Sequence, residues 1–258
     1  MSRSVVLVTG GARRIGRAIA LDLAAAGWSV AFSYRRSSAE AQDTLRELRR
    51  HPGQAEALFA DLSDEASCRA LVPEVVERFG RIDAVVNNAS AFEYDNAETC
   101  GLAAMERHWK ANTAPAILLA QGLYQHLRDT GRTGCVVNLL DQKLWNPNPD
   151  YFSYTLSKAA LEAATKMLAM AMAPQLRVSG VAPGLALLSG PMNEQEFDVG
   201  QRLNPLGRSS PPEDIASAVR FLLTSPATTG STILVDGGQH LSRQARDVMF
   251  LAREMETR

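Results

Sequence analysis

Val5-Val6-Leu7-Val8-Thr9-Gly10-Gly11-Ala12-Arg13-Arg14-Ile15-Gly16 decides the fold. Val5 to Thr9 reads as a strand apolar on both faces, and Ile15 to Ala26 then carries apolar residues at helical spacing and stops at Gly27. Between them, glycines let the backbone turn sharply and bring N–H groups and a helix N-terminus close to a pyrophosphate. A glycine turn in this position marks a dinucleotide site; elsewhere in a chain it would mean little.

The same alternation continues outward. Ser29 to Tyr34 reads as a second strand and Ser37 to about His51 as a charged helix. Strands are expected at Ala55 to Ala60, Ile82 to Val86, Gly134 to Leu139, Arg177 to Val181 and Thr232 to Val235. Helices are expected from Ser63 to Phe79, Pro115 to Arg128, Tyr151 to Ala173 and Pro212 to Leu223. Strands buried on both faces and alternating with helices make a parallel sheet, with its ligand crevice at the strands' carboxyl ends. The expected fold is α/β, a single-domain doubly wound parallel sheet of Rossmann type flanked by helices. The domain runs over residues 1–241, and 242–258 form a charged tail that can make a terminal helix. Leu187 to Arg208 is the one long irregular stretch and is read as a loop over the substrate.

Bulk properties exclude several function classes. The 258 residues suffice for one large core, and the 46% hydrophobic and 21% charged residues are ordinary for a globular domain. A formal net charge of −1 gives nucleic acid and anionic membrane no electrostatic purchase, so neither is an expected partner. Cys68, Cys100 and Cys135 are widely spaced and odd in number, and His51, His108, His126 and His240 lack ligand spacing, so no metal is expected. The histidines are read as surface or core residues, and Met167, Met170 and Met172 as core or subunit-contact filler. With no signal-peptide pattern and no apolar run long enough to span a bilayer, the chain is expected in the cytoplasm.

The cofactor's identity is written after the second strand. A site for NAD places Asp or Glu there to accept from the ribose 2′-hydroxyl. Here Tyr34-Arg35-Arg36-Ser37 holds no carboxylate before Glu40, and Arg13 and Arg14 add positive charge. Guanidinium and hydroxyl groups suit a 2′-phosphate, so the expected cofactor is NADP(H). Tyr154 and Lys158, four apart at a helix start, share one face. An ammonium one turn away favours the phenolate, which would bring the tyrosine from its usual pKa of about 10 toward the working range.

Taken together, Thr9-Gly10 to Gly16, Asp61-Leu62, Asn87-Asn88-Ala89-Ser90, Asn112, Tyr154-xxx-Lys158 and Pro183-Gly184 resemble the short-chain dehydrogenase/reductase family, over Val5 to Gly238. The resemblance implies a homotetramer of Rossmann domains acting on a small molecule. It implies Asp61 and Leu62 near the adenine and Asn88 and Ala89 along the cofactor. It also implies Asn112 in a proton relay, Lys158 on the nicotinamide ribose, and Pro183, Gly184 and Leu185 beside the cofactor.

One departure points to the chemistry. The family places a serine thirteen residues before the tyrosine, and here that place (154 − 141 = 13) falls to Asp141. A carboxylate repels the oxyanion that develops when a ketone is reduced. It suits a bond from the tyrosine hydroxyl or from the N–H of a nitrogen heterocycle. Asp-Tyr-Lys is the combination of the pteridine reductase and dihydromonapterin reductase branch, which the chain also resembles at Ala12 to Gly16, Tyr34 to Ser37, Asn88-Ala89-Ser90-Ala91-Phe92, Pro183-Gly184-Leu185 and Asp236-Gly237-Gly238. That branch implies that Phe92 stacks a pterin against the nicotinamide, with Arg14 and Ser90 reaching both cofactor phosphate and pterin. The expected reaction is reduction of a C=N bond in a dihydropterin or dihydrofolate. Two other readings are a carbonyl reductase of 3-oxoacyl or sugar type and a non-catalytic NADP(H) sensor.

Overall fold

The computed structural model of the chain describes residues 3–188 and 190–256. Seven strands form one sheet: β1 (Val5–Val8), β2 (Ser29–Tyr34), β3 (Ala55–Phe59), β4 (Ala84–Asn87), β5 (Gly134–Leu139), β6 (Leu176–Pro183) and β7 (Thr232–Val235). Their order is β3-β2-β1-β4-β5-β6-β7 and every pairing is parallel. All of β1 and nearly all of β2 and β5 are buried, as a sheet covered on both faces requires. The expected fold class stands.

Helices cover the two faces. One face carries α1 (Arg14–Ala25), α2 (Ser38–Leu48) and α8 (Pro212–Thr224). The other carries α3 (Glu65–Phe79), α5 (Ala114–Thr130) and α6 (Phe152–Met172). In α1 the buried residues Gly16, Ile19, Ala20, Leu23 and Ala24 recur every three or four positions, the stripe a helix lays on a sheet. Asp64 caps α3 by accepting from the Ser67 N–H at 2.8 Å, and Gly80 ends it at φ 75°. The chain order reverses at β1, whose neighbours are β2 and β4, so the crevice opens beyond the carboxyl ends of these strands.

One expectation is corrected. Leu187 to Arg208 is not irregular throughout: it contains α7 (Glu194–Arg202), started by a reciprocal capping box between Asn193 and Glu196. Ser189, within that stretch, lies outside the described residues. Between β4 and α5 stand α4 (Leu102–His108) and a π-helical turn (Trp109–Thr113) that the apolar pattern did not reveal. In the 242–258 stretch a terminal helix, α9 (Val248–Glu256), buries Val248, Met249 and Ala252. Met172 is in the core, but Met167 and Met170 are 62% and 82% exposed.

Candidate active site

The crevice is built from the β1 turn. Gly10 adopts φ 63°, a region open to glycine, and a Cβ on Gly16 would lie 2.3 Å from the Gly10 carbonyl oxygen. Asn88 holds the turn by donating from Nδ2 to the Thr9 and Gly10 carbonyls at 2.9 and 3.2 Å. Thr9 Oγ1 in return accepts from the Asn88 and Ala89 N–H groups. The groove above has a volume of about 490 Å³. It takes in Gly10, Arg13, Arg14, Ile15 and Gly16 from the first turn and Tyr34, Arg36 and Ser37 from the second. Asp61, Leu62, Asn88, Ala89 and Ser90 also line it, whereas Tyr154 and Lys158 do not. A glycine cradle that admits no Cβ, followed by arginines, fits a dinucleotide pyrophosphate and an extra phosphate. Pro183, Gly184 and Leu185 lie outside this groove. Gly184 packs where a Cβ would meet Asp236 at 2.8 Å, and Leu185 joins the buried cluster around Tyr154.

Two groove arginines have further roles. Arg14 sits at φ 56°, unusual for a bulky residue, and its Nη2 donates to the Leu188 carbonyl at 2.7 Å. Thus the glycine turn is tied to the stretch expected to cover the substrate. Burial, helped by Arg13, lowers its pKa. Arg35, beside Arg36 at the end of β2, reaches Asp61 Oδ1 at 3.2 Å. The Ser63 hydroxyl is the largest cause holding the Asp61 carboxyl below its ordinary range, with Arg35 adding to it.

Asp141 follows β5 and opens a short 3-10 turn (Gln142–Leu144). Its Oδ1 accepts from the Lys143 N–H at 2.8 Å, which aims Oδ2 at α6, where the Tyr154 hydroxyl donates to it at 2.8 Å. One turn on, Lys158 Nζ donates to the Leu139 carbonyl at 2.7 Å and lies 5.8 Å from the Tyr154 ring centroid. Burial pushes Asp141 above its ordinary pKa, against the pull of the Lys143 N–H and Tyr154. Burial also depresses Lys158 to about 8, although Asp141 resists this. For Tyr154 the expectation is overturned: burial, then the Asp141 charge and hydrogen bond, raise its pKa well above 10. The lysine sits over the ring, not at the hydroxyl, so the carboxylate dominates. Tyr154 keeps its proton and is arranged as a donor.

Phe92 reaches the same point. Its ring stacks on Tyr151 at a centroid distance of 4.1 Å and 15° between planes, and meets Tyr154 edge-on at 4.7 Å. It remains 37% exposed, which leaves apolar surface for a flat ligand. Asn112, expected in a proton relay, has its side chain committed otherwise. Oδ1 accepts from the Ala91 N–H and the Ser90 hydroxyl, and Nδ2 donates to the Ala91 carbonyl and Ser157 Oγ. It braces the turn that carries Ser90 and Phe92.

Sequence reasoning missed Tyr151, Lys143, and the buried set Asp95, His108 and Ser153. Tyr151 precedes α6 at φ 54°, a strained conformation that sequence spacing does not display. Lys143 is buried with Nζ 3.2 Å from Asp247, and nothing marks a lysine as buried before its partner is known. Among the described residues no group of three or more His, Cys, Asp or Glu is arranged for a metal ion, and no helix is long and apolar enough to cross a membrane.

Comparison with known proteins agrees with this geometry. The family described as Enoyl-(Acyl carrier protein) reductase matches residues 10–240. The chain belongs to the short-chain dehydrogenase/reductase family. It is therefore an oxidoreductase. It is 33% identical to "Pteridine reductase 1" of Leishmania tarentolae, over 93% of this chain and 97% of that one. A crystal structure of FolM Alternative dihydrofolate reductase 1 from Brucella suis in complex with NADP aligns with TM-score 0.89 and 39% identity. The alignment covers 95% of this chain and 98% of that one. A 3-oxoacyl-[acyl-carrier-protein] reductase of Synechocystis is 31% identical, over 92% and 97%.

Proposed function

We propose that this reductase uses NADPH to reduce a C=N bond in a dihydropterin-like ring, giving the tetrahydro form of a dihydropterin, dihydromonapterin or dihydrofolate. The observation that carries the reading is the 2.8 Å bond from the Tyr154 hydroxyl to the half-buried Asp141 carboxylate. The pteridine reductase and FolM relatives support it, and the 3-oxoacyl reductase relative keeps ketones in the test panel. Arg36 and Ser37 would hold the 2′-phosphate, Arg13 and Arg14 the pyrophosphate, and Lys158 the ribose. Pro183, Gly184 and Leu185 would approach the nicotinamide end.

When bound, the nicotinamide supplies a hydride to the carbon of the C=N bond. The chain does the rest. Phe92, which is partly exposed, would stack the ring, and Arg14 and Ser90, which line the cofactor groove, would reach it. Asp141 holds the Tyr154 hydroxyl in place by accepting its one hydrogen, and delivery of that proton requires the hydrogen to leave Asp141 for a ring nitrogen. Reduction there requires a proton, which Tyr154 holds because burial and Asp141 keep its pKa high. At neutral pH Lys158, depressed to about 8, is still mainly cationic and offsets the phenolate that proton release leaves behind. A ketone would place a developing oxyanion against Asp141, which costs stabilisation instead of supplying it.

The proposal extends to a homotetramer working in the cytoplasm. Leu102, Met105 and Trp109, exposed and spaced along one face of α4 and the turn after it, support a self-contact that light scattering would measure. The function itself is tested by NADPH oxidation with dihydropterins, dihydrofolate and simple ketones. Turnover of the dihydropterins above the ketones is expected. Preference for ketones would establish the carbonyl reductase, and tight NADPH binding with no turnover would leave a sensor.

A further inference from the structure

Loop 91–96 has no regular structure, yet Phe92 on it must present one face reproducibly. Asn112 pins the loop on one side through Ala91. On the other side stands a buried polar set that the mechanism does not use. Ser153, the residue before Tyr154, donates from its N–H to Asp95 Oδ1 at 3.0 Å and from its hydroxyl to Asp95 Oδ2. The Phe152 N–H donates to the Asp95 carbonyl. His108, at the end of α4, is buried with Nδ1 2.7 Å from Ser153 Oγ, while its Nε2 accepts from the Glu93 N–H at 3.3 Å.

These partners fix the proton on the imidazole. An ionised Asp95 accepts only, so the Ser153 proton goes to it and Oγ is left to accept. The Nδ1 of His108 must then carry a hydrogen, and Nε2 must be the bare acceptor that Glu93 requires. Protonation of the ring puts a hydrogen on Nε2 and turns that contact into two facing donors.

We propose that His108 is a positioning residue: in its neutral form it ties Glu93 to Ser153, and so sets where Phe92 stands relative to Tyr154. The inference rests on the pterin reading above and adds a pH-dependent control of substrate affinity to it. The groups facing the ring are Asp95 and Glu93 on the loop, Arg107 on α4, and Tyr154 on α6, whose ring centroid is 6.1 Å away; Cys100 bonds to Asp95. Burial lowers the His108 pKa, and although Asp95 and Glu93 oppose it, the ring is neutral at neutral pH. Asp95 is pushed up by burial, but the bonds from Ser153 outweigh this and hold it ionised.

The test uses the wild-type chain first. Once pH is well below the ordinary histidine value of about 6.5, where the lowered His108 takes up its proton, the KM for dihydropterin should rise more steeply than kcat falls, while NADPH affinity changes little. His108→Gln, which can keep an acceptor for Glu93 but takes on no charge, should remove that rise in KM. His108→Ala should raise KM at neutral pH about fivefold, the size of one neutral hydrogen bond, with kcat affected less. A wild-type KM that is flat with pH, or a His108→Gln enzyme that keeps the acid rise, overturns the proposal. Asp141 also titrates on the acid side, but its effect falls on kcat and persists in His108→Gln. If the wild type reduces no pterin, the functional reading fails, and hydrogen exchange at residues 92–95 still decides this inference. After correction for the intrinsic pH dependence of amide exchange, weaker protection at acid pH in the wild type but not in His108→Gln is expected; protection indifferent to pH overturns it.

Discussion

Asp141→Asn isolates the charge on which the chemistry depends. The amide is the same size and keeps one acceptor oxygen for the Lys143 N–H, now 2.8 Å from Asp141 Oδ1. Its nitrogen then faces the Tyr154 hydroxyl, where Oδ2 accepts at 2.8 Å today, and can only donate. The lost bond is charge-assisted and part-buried, and bonds to charged groups contribute about 1.5–3 kcal/mol net. If the transition state feels all of it, turnover of dihydropterin falls roughly 10- to 150-fold, since about 1.4 kcal/mol is a factor of ten. The same change removes the negative charge that raises Tyr154, so its phenolate should appear at lower pH in an ultraviolet titration. Steady-state NADPH oxidation gives the first quantity, and NADPH affinity should stay near the wild-type value because Asp141 lies outside the cofactor groove. Dihydropterin turnover within twofold of wild type, with Tyr154 titrating as before, would refute the pairing as the source of the chemistry. Asp141→Ser adds a second arm: higher activity on keto substrates would restore the carbonyl reading.

Other outcomes follow from the same geometry. Tyr154→Phe should bind NADPH normally and lose most turnover; undiminished turnover would remove the hydroxyl from the proton path. Arg36→Ala should weaken NADPH roughly 10- to 150-fold by titration, from the loss of one charge-assisted bond to phosphate, and leave NADH nearly unchanged. Turnover should decline as pH rises through about 8, where Lys158 loses its charge, and a Lys158→Met variant should lose that limb together with much of its rate. The sign of the stability change is opposite. Lys158 titrates lower in the folded chain than its ordinary 10.5, so the unfolded chain holds the extra proton between about 8 and 10.5, and this site's contribution to stability rises with pH across that window.

Much of this was legible in the sequence where local chemistry leaves no choice. Val5 to Gly16 announces a buried strand, a glycine turn and a helix, and the parallel sheet follows from repeating that unit. Asp141 was readable as a partner for Tyr154 because the spacing placed it where a hydroxyl donor normally stands. What stayed hidden depends on long-range packing. The capping box at Asn193 and Glu196 is local, but glycines and prolines around it masked α7 as a loop. The direction of the Tyr154 shift is hidden because residue spacing shows Lys158 one turn away but not that Nζ is drawn to the Leu139 carbonyl. His108 reads as an anonymous core histidine until the fold brings Glu93, Asp95 and Ser153 to it from elsewhere in the chain.

A crystal of the chain with NADP and a dihydropterin would address the imine-reducing site most directly. The ring should lie between Phe92 and the nicotinamide, with a ring nitrogen and Asp141 Oδ2 both within hydrogen-bonding distance of the Tyr154 hydroxyl oxygen. Density showing the carboxylate rotated out of the pocket, or the pterin bound elsewhere, would contradict the account and leave a reductase of unassigned substrate.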